Sequence, residues 1–163
     1  MDITTIKLIE DKINIPLDLI IYINGFVKYE KLTNENIKDA VNLWCDDKNE
    51  CLWKYGHISY WNTIKITNMN KLFRNKYNFN DNISDWDVSN VTNMSCMFYG
   101  ASHFNQPLNQ WNVSNVIDMS NLFGGALQFN QPLNQWNVSN ATDMYRMFYG
   151  ASKFNHNNAL WYS

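Results

Sequence analysis

The sequence predicts an α/β repeat protein: a solenoid of about four 25-residue coils, each a short strand plus a helical turn, closed by an N-terminal helical cap. Three observations predict it. Trp61, Trp86, Trp111, Trp136 and Trp161 stand 25 residues apart without a slip. Residues 104–115 recur identically as 129–140. Column by column, Met69, Met94, Met119 and Met144 keep one identity, as do Phe73, Phe98, Phe123 and Phe148, and Phe79, Phe104, Phe129 and Phe154. Units that stack in register need that constancy at their inward positions.

Composition narrows the function. Of 163 residues, 45% are apolar and 17% charged, enough apolar surface for a packed core. Net charge is −2 with an isoelectric point near 5.8, which argues against a phosphate-binding surface for nucleic acid. The 27 asparagines fit an AT-rich genome. The longest apolar run, 17–23, is broken by Asp18 and falls short of the roughly 20 residues that span a bilayer. Met1-Asp2 lacks the basic start of a signal peptide, so a cytoplasmic location is expected. Three cysteines, an odd count, fit reduced thiols there. Residues 1–85 hold 23 of the 28 charged side chains, so the chain changes character where the repeats begin.

Residues 1–33 read as an N-terminal helical segment. In it Ile15-Pro16-Leu17-Asp18-Leu19-Ile20-Ile21-Tyr22-Ile23 places Pro16 at a first helical position. Residues 34–60 read as a capping helix and lead-in. Thr33 supplies its cap, acids fill its first turn, and Ile37, Ala40, Val41 and Trp44 fall on one face. That face is expected to cover the open end of the first coil.

Residues 61–163 are the repeats. Asn68, Asn93, Asp118 and Asp143 precede Met-x-x-(Met/Leu)-Phe as N-caps of a helical turn. Asn75, Gly100, Gly125 and Gly150 follow where a left-handed residue would end it. Phe104 and Leu108 then alternate as in a short strand, which Pro107 confines to an edge or bulge. The recurrent Asn80, Asn105, Asn130 and Asn155, and Asn90, Asn115 and Asn140, are expected to cap backbone groups from one coil to the next. The tryptophans read as a buried ladder rather than stacking platforms for sugars or bases.

The unit Trp-Asn-Val-Ser-Asn-Val-Thr-(Asn/Asp)-Met-Ser-x-(Met/Leu)-Phe-x-Gly-Ala-x-x-Phe-Asn-Gln-Pro-Leu-Asn-Gln resembles the repeat of the BspA-like leucine-rich-repeat group. That group includes Mycoplasma surface lipoproteins and proteins of protists, algae and giant DNA viruses. The lead-in at Asn36–Trp44 and Tyr55-Gly56-His57-Ile58-Ser59-x-Trp61 is similar to the segment that often precedes such arrays. The resemblance covers about 34–163; it implies a leucine-rich-repeat-like solenoid used for binding and no catalytic activity. The opening of 15–23 also resembles the start of an F-box.

No Ser-His-Asp pattern, Walker loop, paired-cysteine zinc site or glycine-rich phosphate cradle occurs, so neither enzyme activity, metal nor cofactor is expected. The sequence predicts a protein–protein interaction module, with an F-box-like ubiquitin-ligase adaptor or a structural component of a virus particle as alternatives. A protein partner is expected, with no nucleic acid and no membrane, and a monomer rather than a dimer. Columns that vary while the core does not mark the candidate binding surface. They give Tyr99, His103, Tyr145, Arg146, Tyr149 and Lys153, and the exposed strand column adds Gln106 and Gln131. At the C-terminal end, Ala159, Leu160 and Trp161 are expected to fold over the last coil.

Overall fold

The computed structural model describes residues 29–162; the helix and F-box-like opening read at 15–23 lie outside them. Two α-helices come first, α1 (Ile37–Asp46) and α2 (Lys48–Tyr55). Thr33 does not cap α1, whose N-cap is Asn36 without a side-chain bond. Instead the turn before the helix is tied, Thr33 Oγ1 accepting from the Glu35 N–H at 3.3 Å and Asn36 Oδ1 from the Thr33 N–H at 2.8 Å. That hydroxyl also holds the Glu35 carboxyl below its usual range. Ile37, Ala40, Val41 and Trp44, the four residues of the expected apolar face, are all buried. Asp47 starts α2 by accepting from the Glu50 N–H, and Gly56 ends it at φ 77°.

The helices sit on the first repeat. Trp44 meets Trp61 edge-on at 6.3 Å and donates Nε1–H to Asp81 at 2.9 Å, where Lys48 also pairs. Cys51 is buried, its thiol directed at the Ala40 carbonyl, and burial pushes that thiol up to about 12, so it stays protonated at neutral pH.

From Trp61 onward the chain winds in 25-residue turns, each laid on the one before. Backbone N–H groups of Met69, Lys71, Phe73 and Asn75 donate to the carbonyls of Asn93, Ser95, Met97 and Tyr99 at 2.8–3.0 Å. The same four columns repeat that pattern between the second and third units and between the third and fourth. Inside the stack, Phe73, Phe98, Phe123 and Phe148 lie nearly parallel, 5.4–5.6 Å from ring to ring. A second file, Phe79, Phe104, Phe129 and Phe154, runs at 5.7–6.0 Å beside it. The tryptophans form a file, buried except for the half-buried Trp161, whose Nε1–H groups reach carbonyls of the preceding turn: Trp86 to Ile58, Trp111 to Ile83, Trp136 to Leu108 and Trp161 to Leu133.

The strand-plus-helical-turn coil is overturned. Among the described residues there is no strand or sheet, only single parallel bridges joining Asn68, Asn93, Asp118 and Asp143, and no α-helix beyond α1 and α2. The helical turn fails because Lys71, Cys96, Asn121 and Arg146 have φ of 53–59°, a left-handed conformation no α-helix can contain. Their flanking residues close β-turns instead, as in Leu72 N–H to the Met69 carbonyl, and the freed N–H groups bond to the next unit. Asn75, Gly100, Gly125 and Gly150 are left-handed as expected, but they end turns rather than helices.

The strand fails for a different reason. Pro107 has no N–H to give, and side chains do the pairing a ladder would do. Asn80 Oδ1 accepts from the Asn105 N–H, Asn105 Oδ1 from Asn130, and Asn130 Oδ1 from Asn155, each at 2.9 Å. Asn90, Asn115 and Asn140 donate in turn to the carbonyls of Ile64, Ser89 and Ser114. Both asparagine columns therefore bridge backbone between units, as the sequence predicts.

The Asx column before Met caps turns, not helices. Asp118 Oδ1 accepts from the N–H and the hydroxyl of Ser120 at 2.9 and 2.7 Å, and Asn68, Asn93 and Asp143 do the same for the N–H two residues on. Asp118→Ala is expected to lower unfolding free energy by about 1 kcal/mol, the usual worth of such a bond, in a urea titration with the slope unchanged.

The C-terminal cover also differs from expectation. Ala159 is fully buried, but Leu160 is 76% exposed and Trp161 continues the tryptophan file, stacked on Trp136 at 6.1 Å. The rings that lie across the last phenylalanines are His156 and Tyr162. Tyr162 meets Phe148 edge-on at 5.1 Å, and His156 meets Phe154 at 5.7 Å. A short 3-10 turn, His156–Asn158, makes this arrangement.

Candidate functional site

The expected surface divides into residues committed to the stack and residues open to solvent. Gln106 donates Nε2–H to the Asn80 carbonyl at 2.8 Å, and Gln131 does so to the Asn105 carbonyl at 3.0 Å. Their amides brace adjacent units. Asn158 takes over this contact in the last unit, donating to the Asn130 carbonyl at 3.0 Å, which leaves His156 free to join the terminal ring cluster. Asp81, the first member of that column, is held by Trp44 and Lys48.

His103 is exposed with Nδ1 2.8 Å from the Tyr77 carbonyl, and Lys153 donates to Gln128 Oε1 at 2.6 Å. Tyr99 is half-buried because Gly124, one unit on, leaves room for its ring; a Cβ at 124 would lie 2.8 Å from Tyr99 Cδ2. The Arg74 guanidinium lies over the Tyr99 ring at 5.4 Å.

Tyr145, Arg146 and Tyr149 come together on the last unit. The Arg146 guanidinium is 5.0 Å from both ring centres, and the two tyrosines remain 62% and 63% exposed. The left-handed φ of Arg146 turns its side chain out between two flanking rings. The cluster is amphipathic, apolar on its ring faces and cationic at its centre. Sequence reasoning found these residues through column variation; it did not find that they touch.

One further feature escaped the sequence reading. A shallow groove runs across three units, lined by Asn90, Thr92, Asn115, Ile117, Asn140 and Thr142. Its asparagine amides are committed to backbone carbonyls, and Ile117 gives it an exposed apolar centre. The equal spacing of these columns was visible, but the depression between them depends on turn geometry.

Among the described residues no three His, Cys, Asp or Glu side chains gather where a metal could bind, and no helix is long and apolar enough to cross a membrane. The fold and this surface define a protein of stacked 25-residue units carrying an exposed tyrosine–arginine cluster at one end. The chain belongs to the family described as Mycoplasma protein of unknown function, DUF285, whose model matches residues 46–161. That span runs from the end of α1 through the last tryptophan of the repeats. No curated protein matches the chain, and no solved structure does.

Proposed function

We propose that the protein is a non-catalytic protein–protein interaction module that binds through the Tyr145–Arg146–Tyr149 cluster. The observation that carries this reading is a pair of tyrosines more than 60% exposed around one guanidinium, a grouping no other unit repeats: the second carries Ser95, Cys96 and Tyr99 there and the third Ser120, Asn121 and Gly124. Tyrosine and arginine are the residue types that dominate binding energy when an interface desolvates them. The likeness of the 25-residue unit to the BspA-like group supports binding over catalysis.

The test is quantitative capture of partners from host extract by wild type and by Tyr145→Ala/Tyr149→Ala. Each tyrosine projects from the surface, so the fold should survive. A partner using the cluster should bind the double variant about 30-fold more weakly, equivalent to roughly 2 kcal/mol. Equal capture by both proteins would remove the cluster from the interface.

A further inference from the structure

The two ends of the stack are chemically unlike. In the third unit the N–H groups of Met119, Asn121, Phe123 and Gly125 donate to the fourth at 2.8, 2.9, 2.8 and 2.7 Å. The equivalent groups of the fourth unit are those of Met144, Arg146, Phe148 and Gly150, and among the described residues nothing accepts from them. The last unit therefore ends in a row of four backbone donors directed away from the stack. Arg146 and Gly150 in this row are left-handed, at φ 53° and 73°.

Side-chain charge agrees with the backbone. Residues 143–162 contain Arg146, Lys153 and His156 against one carboxylate, Asp143, whose Oδ1 accepts from the Tyr145 N–H at 2.8 Å. Neither Arg146 nor Lys153 forms an ion pair among the described residues.

We propose that this donor row, with the Arg146 side chain beside it, is a docking edge for an acidic segment of a protein partner. The inference rests on the interaction-module reading and names the chemistry of the partner. Carboxylates are acceptors only, so they suit an edge that offers donors only, and a charged acceptor makes the stronger bond. A second copy fits poorly. End to end at this face, donors would meet donors. At the opposite face the carbonyls of Asn68, Asn70, Leu72 and Arg74 accept from nothing among the described residues. But α1 covers the core there and Asn34 Oδ1 stands against the edge, accepting from the N–H groups of Thr67 and Asn68 at 3.0 and 3.2 Å, so the last unit of a second copy would meet a helix and not a bare turn.

The experiment selects binders to the full chain from a display library of random ten-residue peptides and then follows backbone amide exchange by NMR with a selected peptide added. Enriched peptides should carry several Asp or Glu. In the free protein, the amides of Met144, Arg146, Phe148 and Gly150 should exchange fast while those of Met119, Asn121, Phe123 and Gly125 are protected. The peptide should slow the four end amides tenfold or more. Arg146→Glu should weaken the peptide at least tenfold with protection in the third unit unchanged. Failure to enrich acidic peptides overturns the docking edge, as do acidic peptides that leave the four amides at their free rates. Slowing that depends on protein concentration alone would identify a second copy as the occupant and overturn it equally. Peptides that shift only the Tyr145 and Tyr149 rings would defeat the edge yet leave the interaction-module reading standing. That reading fails separately, through equal partner capture by the tyrosine double variant.

Discussion

Phe123→Ala should lower the unfolding free energy by about 3–5 kcal/mol, the range for truncating a buried phenylalanine. Its ring is fully buried, sandwiched between Phe98 at 5.5 Å and Phe148 at 5.6 Å, with Phe129 at 4.0 Å beside it. Neighbours on both sides are held at a fixed repeat by backbone bonds between units, so the vacated space cannot collapse. Phe148→Ala should cost less, because Phe148 is 7% exposed and has a phenylalanine of its own file on one side only. Urea titration of the two variants decides the point. A Phe123→Ala loss under about 1 kcal/mol, or one no larger than that of Phe148→Ala, would contradict the buried file.

Trp86→Ala should be comparably damaging, again about 3–5 kcal/mol. Trp86 stacks on Trp61 at 5.9 Å, leans on Phe73 at 5.8 Å and donates Nε1–H to the Ile58 carbonyl at 2.8 Å. That bond ties the second unit back to the lead-in that carries the helices. Trp86→Phe keeps most of the apolar contact and leaves the carbonyl without its donor, so it should cost about 1–3 kcal/mol. Denaturation of both variants separates packing from hydrogen bonding. A Trp86→Phe loss near zero would mean that the indole N–H contributes nothing, while a loss equal to that of Trp86→Ala would mean that the packing contributes nothing.

Much of this stack was legible in the sequence because its constraints are periodic. The three aromatic files, the asparagine bridges and the buried face of α1 all follow from residues that recur at a fixed interval or at helical spacing. The conformation within a unit was not legible. Met69, Leu72 and Phe73 stand at i, i+3 and i+4, which suits a helical face equally with two successive β-turns. The deciding feature is the left-handed residue at Lys71, Cys96, Asn121 and Arg146, and of these only asparagine advertises that conformation. Phe104 and Leu108 misled similarly: the alternation was real, but Asn80 and Gln106 side chains replace the backbone ladder it suggested. At the C-terminal end, Leu160 was the obvious apolar cover, yet the 3-10 turn at 156–158 brings His156 and Tyr162 across the phenylalanines instead. For the candidate site, column variation picked out the residues, while their contact required the left-handed turn that no pattern revealed.

The central claim is that 25-residue units built of turns stack in register. Proton–proton Overhauser contacts in a uniformly labelled sample test it most directly. The account predicts contacts between the Phe98 ring and those of Phe73 and Phe123, and between the Asn105 amide and the Asn80 side chain, all at a separation of 25 residues. It predicts no helical i to i+4 contacts through residues 94–100. Contacts displaced by one residue from that register, or a continuous helical pattern across 94–100, would contradict it.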